Sequence, residues 1–256
     1  MIARQAAWRA EPAIHAVAVM AKASNPGLTK TRLCPPLTFE EAAAFNTAFL
    51  KDVAANVARS GAHRSVATYM AFGPPGSEAF FERELPADIG LMEIWRPNFG
   101  DCLWAATETM FELGHASACV LNSDSPTLPS ALLIEMYEAL EAPGDRAVLG
   151  PSTDGGYYLL ALKTPRRRMF EDIAWSTDAV ADQTRQRAAE IGLELVTLPD
   201  WYDVDDVASL RAVTGECLCD RPFSNLHPPS PAPATAAALT TLLATPDGAR
   251  RLGLVS

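Results

Sequence analysis

The sequence predicts an α/β protein in which a mainly parallel sheet is covered by helices on both faces. Short apolar runs alternate along the chain with stretches whose apolar residues recur every three or four positions, as in buried strands and amphipathic helices. One run, 118–121, stops abruptly at the polar turn 122–127, as a buried strand does at the edge of a sheet. The 256 residues are 48% hydrophobic, which is enough to bury a core of domain size.

The first strand and helix show this alternation most clearly. The apolar run 14–20 predicts a strand, and the small and basic residues after it predict an extended loop. From 39 to about 60 the apolar residues fall on one face of a predicted helix. Thr38 and Glu41 have the spacing of a capping box at the start of that helix.

The alternation of strands and helices continues to position 150, where two strands follow each other directly before it resumes. Further strands are predicted at 65–71, 91–95, 118–121, 147–149, 157–162 and 193–198, and helices at 101–113, 130–140, from after 177 to about 191, and at 204–213, with a short helix between the strands 65–71 and 91–95. No helical pattern separates 147–149 from 157–162, so these two strands are predicted to pair antiparallel.

Composition divides the chain into three parts. Residues 1–13 form an N-terminal extension, 14–221 form the α/β domain, and 222–256 form a proline-rich linker with an Ala/Leu helix from about Ala234. We expect this tail to lie outside the catalytic fold. It can pack on the domain, mediate a homo-oligomer or remain free, and the sequence leaves these alternatives open.

Charge and composition argue against several kinds of partner. The formal net charge of −10 and the lack of a long basic run disfavour nucleic acid. No segment approaches the roughly 20 apolar residues that cross a bilayer. The five cysteines include no CxxC pair, which is typical of free thiols in a reducing compartment, so a cytoplasmic location is expected.

The turn after the strand 118–121 carries one carboxylate, Asp124, at a position where open α/β sheets bind ligands. An aspartyl-phosphate phosphatase would need a nucleophilic aspartate two residues earlier, and Asn122 excludes that chemistry. A single carboxylate at a strand end suits coordination of Mg²⁺ or Mn²⁺. The alternative is that Asp124, Ser125 or Thr127 turns the chain and caps the next helix.

A basic loop follows the first predicted strand. Lys22, Lys30 and Arg32 concentrate positive charge there in an otherwise acidic protein, which suits a phosphate or diphosphate group. Gly27 would let the backbone approach such a group closely. The stretch 27–31 lacks the first glycine of a P-loop, which excludes that motif. The alternative interpretation is a solvated surface loop.

A second acidic stretch lies just before the last helix of the predicted domain. Asp203 and Asp205 alternate across Val204, so in an extended turn both side chains point the same way and can complete a metal site. The alternative is that Asp203, Asp205 or Asp206 caps the helix and stabilises its dipole.

The turn-rich stretch 150–156 is the third candidate. Gly155 and Gly156 follow Asp154, and they would let the backbone approach a ligand and direct the Asp154 carboxylate into a cleft. A tight turn with positive φ uses the same residues. Further along, Thr177 either caps a helix or contacts the substrate through its hydroxyl.

Taken together, these motifs resemble one known pattern. They are P-G-L-T-K-T-R-L at 26–33, N-F-G-D at 98–101, N-S-D-S-P-T-L at 122–128, G-P-S-T-D-G-G-Y-Y at 150–158, W-S-T at 175–177 and D-V-D at 203–205. Over roughly 14–213 the combination resembles an uncharacterised bacterial family of glycosyltransferase A-like proteins, which is related to phospholactate guanylyltransferases and to arsenosugar-biosynthesis proteins. The resemblance implies a Rossmann-like three-layer α/β/α fold with a mixed sheet, of the nucleotide-diphospho-sugar transferase type.

The resemblance also implies a role for each motif. Asp124 would be the metal aspartate, with Asp203 or Asp205 as a further ligand of Mg²⁺ or Mn²⁺. The nucleotide phosphates would contact the loop, through Lys22, Gly27, Lys30 and Arg32, together with Ser123. The acceptor side would be bordered by Asp154, Gly155, Gly156, Tyr157 and Thr177.

The leading hypothesis is therefore a metal-dependent transferase that uses a nucleotide-sugar or a nucleoside triphosphate and a small-molecule acceptor, with glycosyl transfer ranked ahead of nucleotidyl transfer. In inverting glycosyl transfer, Asp154 would be the general base. The alternatives are guanylyl or other nucleotidyl transfer to a small phosphorylated acceptor, and a non-catalytic protein that binds nucleotide-sugars.

Overall fold

The computed structural model describes residues 2–4 and 15–253, and within them eight strands form one sheet. The strands are β1 (Ile2–Arg4), β2 (His15–Ala21), β3 (Val66–Phe72), β4 (Gly90–Glu93), β5 (Ser117–Asn122), β6 (Arg146–Pro151), β7 (Tyr157–Leu162) and β8 (Glu194–Thr197). The helices are α1 (Phe39–Ser60), α2 (Glu78–Glu84), α3 (Phe99–Glu112), α4 (Ser130–Glu141), α5 (Val180–Glu190), α6 (Val207–Leu218), α7 (Pro233–Leu243) and α8 (Pro246–Arg251).

The sheet is mixed, as predicted. Its order is β1-β4-β3-β2-β5-β7-β6-β8. β2 pairs in parallel with both β3 and β5, and the pairs β3–β4 and β6–β8 are also parallel. β7 runs antiparallel between β5 and β6, which confirms the antiparallel pair predicted from the missing helix. β1 also runs antiparallel, beside β4.

Helices cover both faces of the sheet, which confirms the three-layer prediction. One core holds apolar side chains of α1, α4, α6 and α7, and the other holds those of α3 and α5. Helix α1 has the predicted bounds and capping box, because the Thr38 hydroxyl accepts from the Glu41 amide while the Glu41 carboxylate accepts from the Thr38 amide.

Two helices begin at residues other than those predicted. The predicted helix at 204–213 begins only at Val207, because Asp206 is its N-cap and forms a capping box with Ser209, and 203–205 lie outside it. The helix predicted from 101 begins at Phe99, because the Asn98 side chain caps it.

The expected N-terminal extension falls almost entirely outside the described residues. Residue 1 and residues 5–14 are not described, and they include the first residue of the strand predicted at 14–20. Only 2–4 of the extension are described, as strand β1.

The site is positioned by strand direction. From the pairings, β2, β3, β4, β5, β6 and β8 all run the same way, so the segments that leave their carboxyl ends emerge at one edge of the sheet. These segments include the basic loop after β2, the turn that carries Asp124 after β5, and the D-V-D stretch after β8. Motifs far apart in sequence are thereby brought to one place.

The C-terminal segment packs on the domain, which is the first of the three arrangements left open by the sequence. Leu239 and Leu242 of α7 are buried in the same core as α1. The N-cap position of α7 is Ala232, whose side chain cannot accept a hydrogen bond. The buried Asp52 of α1 accepts instead, from the backbone amides of Ala234 and Thr235 at 3.0 and 2.7 Å.

Across residues 2–4 and 15–253 the structure has no helix with the length and apolar character needed to cross a membrane.

The contact between Asp52 and α7 gives a test of this packing. Asp52→Asn keeps the size of the side chain but removes the charge that stabilises the amino end of α7. We expect the free energy of unfolding to fall by about 1–3 kcal/mol, because buried backbone donors lose part of their acceptor. Urea denaturation of the variant, beside an Asp88→Asn control at an exposed position, measures the difference. Equal stability of the two variants would show that α7 does not depend on Asp52.

Candidate active site

Two of the predicted aspartates meet at the edge of the sheet. Asp124 follows β5 and Asp205 follows β8, and the backbone ties the two segments together because the Val204 amide donates to the Asp124 carbonyl at 2.8 Å. The carboxylates of Asp124 and Asp205 then contact the same cation, the ammonium of Lys30, at 2.9 and 2.6 Å. The structure therefore brings the basic loop, the strand-end turn and the D-V-D stretch into contact.

Lys30 is more buried, and has more partners within the protein, than was expected of a phosphate ligand. Its side chain is only 6% exposed, and its ammonium also donates to the Val204 carbonyl at 2.9 Å. These contacts use all three of its N–H donors. Burial alone lowers the pKa of Lys30, but Asp124 and Asp205 outweigh that effect, so the pKa lies above its ordinary value. Its backbone has a positive φ of 52°, which is uncommon for a residue other than glycine.

Asp203 lies beside the same carboxylates without such a cation contact. Burial, and after it the negative charges of Asp205, Asp154 and Asp124, together raise its pKa to about 7. Asp154, which is distant in sequence, is therefore close enough to belong electrostatically to the acidic group. We call Asp124, Asp154, Asp203 and Asp205 the acidic cluster.

The capping alternatives are resolved by neighbours of these residues. Asp206 caps α6, so Asp203 and Asp205 are not needed for that task. Helix α4 has Pro129 at its N-cap position, and its Ser130 amide donates to the hydroxyl of Ser230 in the C-terminal segment. Asp124 therefore does not cap the helix that follows it.

The remaining polar side chains of that turn hold the chain in place. The Asn122 amide donates to the Ser125 hydroxyl at 3.0 Å, and that hydroxyl donates to the Tyr202 carbonyl at 2.8 Å. The Thr127 hydroxyl lies 3.2 Å from the Tyr202 hydroxyl. Ser125 and Thr127 thus fix the distance between the turn after β5 and the stretch after β8.

A cleft of about 450 Å³ opens in front of Asp124 and Asp205. This is within the usual size range of a small-molecule site. The charged lining residues, Lys22, Lys30, Arg32, Asp124 and Asp205, lie on the segments that follow β2, β5 and β8. The apolar lining residues lie at the ends of β3 and β4, on the other side of β2, and on α3; they are Ala71, Gly73, Ile94, Trp95, Phe99, Cys102 and Leu103. The cleft therefore has a charged end and an apolar, partly aromatic end.

The basic loop presents two cations to this cleft besides Lys30. Lys22 is exposed, lines the cleft and forms no ion pair with the described residues. Arg32 is 75% exposed, and among the described residues it forms an ion pair only with Asp205, at 3.4 Å. Ser123 also lines the cleft, and its hydroxyl donates to Asp124 at 3.1 Å. Gly27 has φ of 76° in the turn before Lys30 and does not itself line the cleft.

The residues predicted for the acceptor side are only partly at the cleft. Tyr157 lines it, whereas Gly155, Gly156 and Thr177 do not. Gly155 has φ of 88°, and a Cβ atom there would lie 2.1 Å from the backbone oxygen of Asp178. This fits the tight-turn alternative for Gly155.

Two further predicted residues make local contacts. The Asp154 carboxylate accepts from the Gly156 amide at 2.9 Å and does not line the cleft. The Thr177 hydroxyl donates to the Ala174 carbonyl at 2.7 Å and accepts from the Ala179 amide, as it would in a turn before a helix.

Sequence reasoning did not single out the apolar end of the cleft. Trp95 and Phe99 are 53% and 50% exposed, although both are large apolar side chains. Gly100 of the N-F-G-D motif lies so close to Trp175 that a Cβ atom would be 2.6 Å from its indole nitrogen, and Trp175 in turn packs on Phe99. The N-F-G-D motif was the sequence signal for the apolar end of the cleft, since its glycine permits the close approach of Trp175.

The acidic cluster offers suitable donors for a divalent cation, but it is not arranged around one. Mg²⁺ and Mn²⁺ prefer carboxylate oxygens. When all four carboxylates of the cluster are ionised, the two cations that contact it, Lys30 and Arg32, leave two negative charges, which a divalent ion would balance. Among the described residues, however, no three acidic, histidine or cysteine side chains form a ready metal site. The carboxylate donors and their negative charge therefore fit a metal ion. The ammonium of Lys30, however, lies between two of these carboxylates.

One family model matches part of this chain. Residues 56–177 match DUF2064, described as uncharacterized proteins conserved in bacteria. This confirms the resemblance to an uncharacterised bacterial family. The DUF2064 match includes Asp124 and the stretch 150–158, and it ends before the D-V-D stretch. No curated protein matches the chain.

Solved structures share the fold. A crystal structure from Desulfovibrio desulfuricans G20, of a protein provisionally named a nucleotide-diphospho-sugar transferase, is 24% identical, with a TM-score of 0.75 over 91% of this chain and 96% of that one. CMP:2-keto-3-deoxy-manno-octonic acid synthetase in complex with CTP is 13% identical, with a TM-score of 0.50 over 79% of this chain and 97% of that one. The bifunctional IspDF of Campylobacter jejuni is 9% identical, with a TM-score of 0.50 over 77% of this chain and 53% of that one. These similarities confirm the predicted fold.

The raised pKa of Asp203 predicts a pH-dependent stability of the metal-free protein. Its folded pKa of about 7 exceeds the ordinary 3.8, so the folded protein retains a proton that the unfolded chain has lost. Raising the pH from about 4 to above 7 therefore destabilises the folded state. Asp203→Asn removes this effect, so its free energy of unfolding should fall less between pH 5 and pH 8 than that of the wild type.

Urea denaturation in the presence of a chelator measures that pH dependence. Asp200→Asn is the matched control, because Asp200 is an exposed carboxylate on the same segment. A wild-type slope that Asp203→Asn leaves unchanged would contradict the assignment.

Proposed function

We propose that this chain is a metal-dependent transferase whose donor substrate carries a nucleotide diphosphate or triphosphate group. The observation that carries the proposal is the joining of Asp124 and Asp205 with the basic loop at the charged end of one cleft. A phosphate chain needs cations on one side, and a bridging metal needs carboxylates on the other. The fold shared with nucleotide-diphospho-sugar transferases supports the same reading.

In this proposal Lys22 and Arg32 bind the phosphates. Both are exposed at the cleft, and Arg32 can make paired hydrogen bonds to phosphate oxygens. Asp124, Asp203 and Asp205 would hold Mg²⁺ or Mn²⁺. Such an ion, when bound, neutralises phosphate charge and stabilises the leaving group. The chain itself orients the donor and keeps its phosphates at the charged end.

The apolar end of the cleft would hold the nucleoside. Trp95 and Phe99 offer aromatic faces on which a planar base can stack. Deeper in the cleft, Asn122 Oδ1 and the Tyr157 hydroxyl are buried and have no hydrogen-bond partner among the described residues. Buried polar atoms rarely stay unpaired, so we expect both to gain partners when the cleft is filled.

The position of Asp154 bears on the type of transfer. Inverting glycosyl transfer was predicted to use Asp154 as general base, yet this carboxylate accepts from Gly156 and does not line the cleft. Nucleotidyl transfer to a phosphorylated acceptor has less need of a general base, because the acceptor supplies its own anionic oxygen. We therefore rank nucleotidyl transfer ahead of glycosyl transfer, which reverses the order expected from the sequence.

The products of the reaction discriminate between these possibilities. Nucleotidyl transfer or slow hydrolysis of a nucleoside triphosphate releases inorganic diphosphate, and glycosyl transfer from a nucleotide-sugar releases a nucleoside diphosphate. A thermal-shift screen of nucleoside triphosphates and nucleotide-sugars, with and without Mn²⁺, identifies the donor first. A donor that binds but releases neither product with any phosphorylated acceptor would favour a non-catalytic binding protein.

Asp124→Asn tests the metal assignment directly. The variant should lose Mn²⁺-dependent binding of the identified donor, because its amide cannot supply the negative charge that the metal requires. Calorimetric titration with and without Mn²⁺ measures the effect. The exposed Asp88→Asn variant serves as control. Unchanged metal-dependent binding by Asp124→Asn would refute the assignment.

Lys22→Gln tests the phosphate contacts separately. Loss of one exposed charge at the cleft should weaken donor binding by about tenfold at low salt, and by less at high salt, where the charge is screened. Lys51→Gln removes the same charge at a half-exposed position paired with Glu84. If both variants bind the donor equally well, Lys22 has no part in phosphate binding.

A further inference from the structure

The ammonium of Lys30 occupies the place where a metal would join two strands. It lies 2.9 Å from Asp124 Oδ1 and 2.6 Å from Asp205 Oδ1. Mg²⁺ or Mn²⁺ held by these two carboxylates would need the space beside their oxygens that the ammonium now fills. Two cations cannot share that space, because their mutual repulsion in a buried site is strong.

Lys30 is held in this place by several contacts. Its third N–H donates to the Val204 carbonyl, and its ammonium lies 5.7 Å from the centre of the Phe49 ring. No N–H remains for a phosphate while these contacts persist. To bind phosphate in this cleft, Lys30 must therefore first release at least one of these three acceptors.

The position of Lys30 also allows such a release. Lys30 lines the cleft and lies in the same loop as Lys22 and Arg32, the proposed phosphate ligands. A lysine carries its charge on a flexible four-carbon chain, so the ammonium can move while the backbone stays in place. A nucleotide phosphate at the charged end would offer it new acceptors a short distance away.

We propose that Lys30 is the resident cation of the acidic cluster and that it exchanges its carboxylate partners for phosphate when metal and nucleotide bind. The Lys30 ammonium would leave Asp124 and Asp205 when those carboxylates take up a divalent ion, and it would then bind a phosphate group. Each ligand then removes an obstacle to the other, so metal and nucleotide bind with positive coupling. This inference rests on the proposed function, because it assumes that the acidic cluster binds a metal.

The first experiment measures Mn²⁺ affinity by calorimetry without nucleotide. Lys30→Met removes the competing ammonium while keeping the length of the side chain, and it should bind Mn²⁺ at least about tenfold more tightly than the wild type. Arg32→Gln is the matched control, because it removes the same charge from Asp205 but at an exposed side chain 3.4 Å away. We expect it to tighten binding by less than about threefold, as an exposed charge does.

The second experiment follows Lys30 in the unaltered protein, so it does not depend on whether Lys30→Met folds. Amine acetylation is quantified by mass spectrometry at each lysine, with Lys51 and Lys163 as internal references. Saturating Mn²⁺ should raise the acetylation rate of Lys30 several-fold and leave that of Lys163 unchanged. Inorganic diphosphate added with Mn²⁺ should lower the rate at Lys30 again.

The outcomes separate this inference from the proposed function. Mn²⁺ binding that Asp124→Asn abolishes shows that the metal site exists. If Lys30 acetylation then stays unchanged at saturating Mn²⁺, the ammonium does not leave and the exchange is refuted, while the metal site stands. A wild-type protein that binds no Mn²⁺ refutes the metal site, and the exchange with it.

Discussion

The contact of the Lys30 ammonium with Asp124 and Asp205 organises the whole site. It joins three chain segments that leave the sheet at separate places, namely the loop after β2, the turn after β5 and the stretch after β8. Buried charges are costly unless they are paired, so removing one partner leaves an uncompensated charge in the interior. The three segments therefore keep their places relative to one another, and the cleft keeps its charged end.

The sheet makes this contact possible. Strands that run the same way deliver their following loops to one edge, and β7 inserts antiparallel between β5 and β6 without disturbing that order. The Val204 amide then bonds to the Asp124 carbonyl and fixes the D-V-D stretch beside the turn. Backbone hydrogen bonds thus set the spacing of these segments. The charged side chains are attached to a backbone that is already held rigidly.

The C-terminal segment is part of this frame. Ser230 caps α4, the helix that follows Asp124, and Asp52 of α1 accepts from the first turn of α7. At the other end of the segment, Arg251 pairs with Glu41 through both terminal nitrogens and donates to the Pro36 carbonyl, just after the basic loop. A segment that looks like an appendage by composition therefore supports both the strand-end turn and the exit of the basic loop.

The sequence by itself determined the features that depend on short-range chemistry. Four such features were predicted from the sequence, because each depends on residues within a few positions of one another. They are the periodicity of α1, the capping box at Thr38, the antiparallel strand pair after Gly150 and the strand-end position of Asp124. Only the tertiary structure decided the partner of Lys30, the cap of α4 and the place of Asp154 outside the cleft. Lys30 and Asp205 are 175 positions apart, and no local pattern records which distant charge a lysine will meet. That pairing follows from strand order, which is a property of the folded sheet.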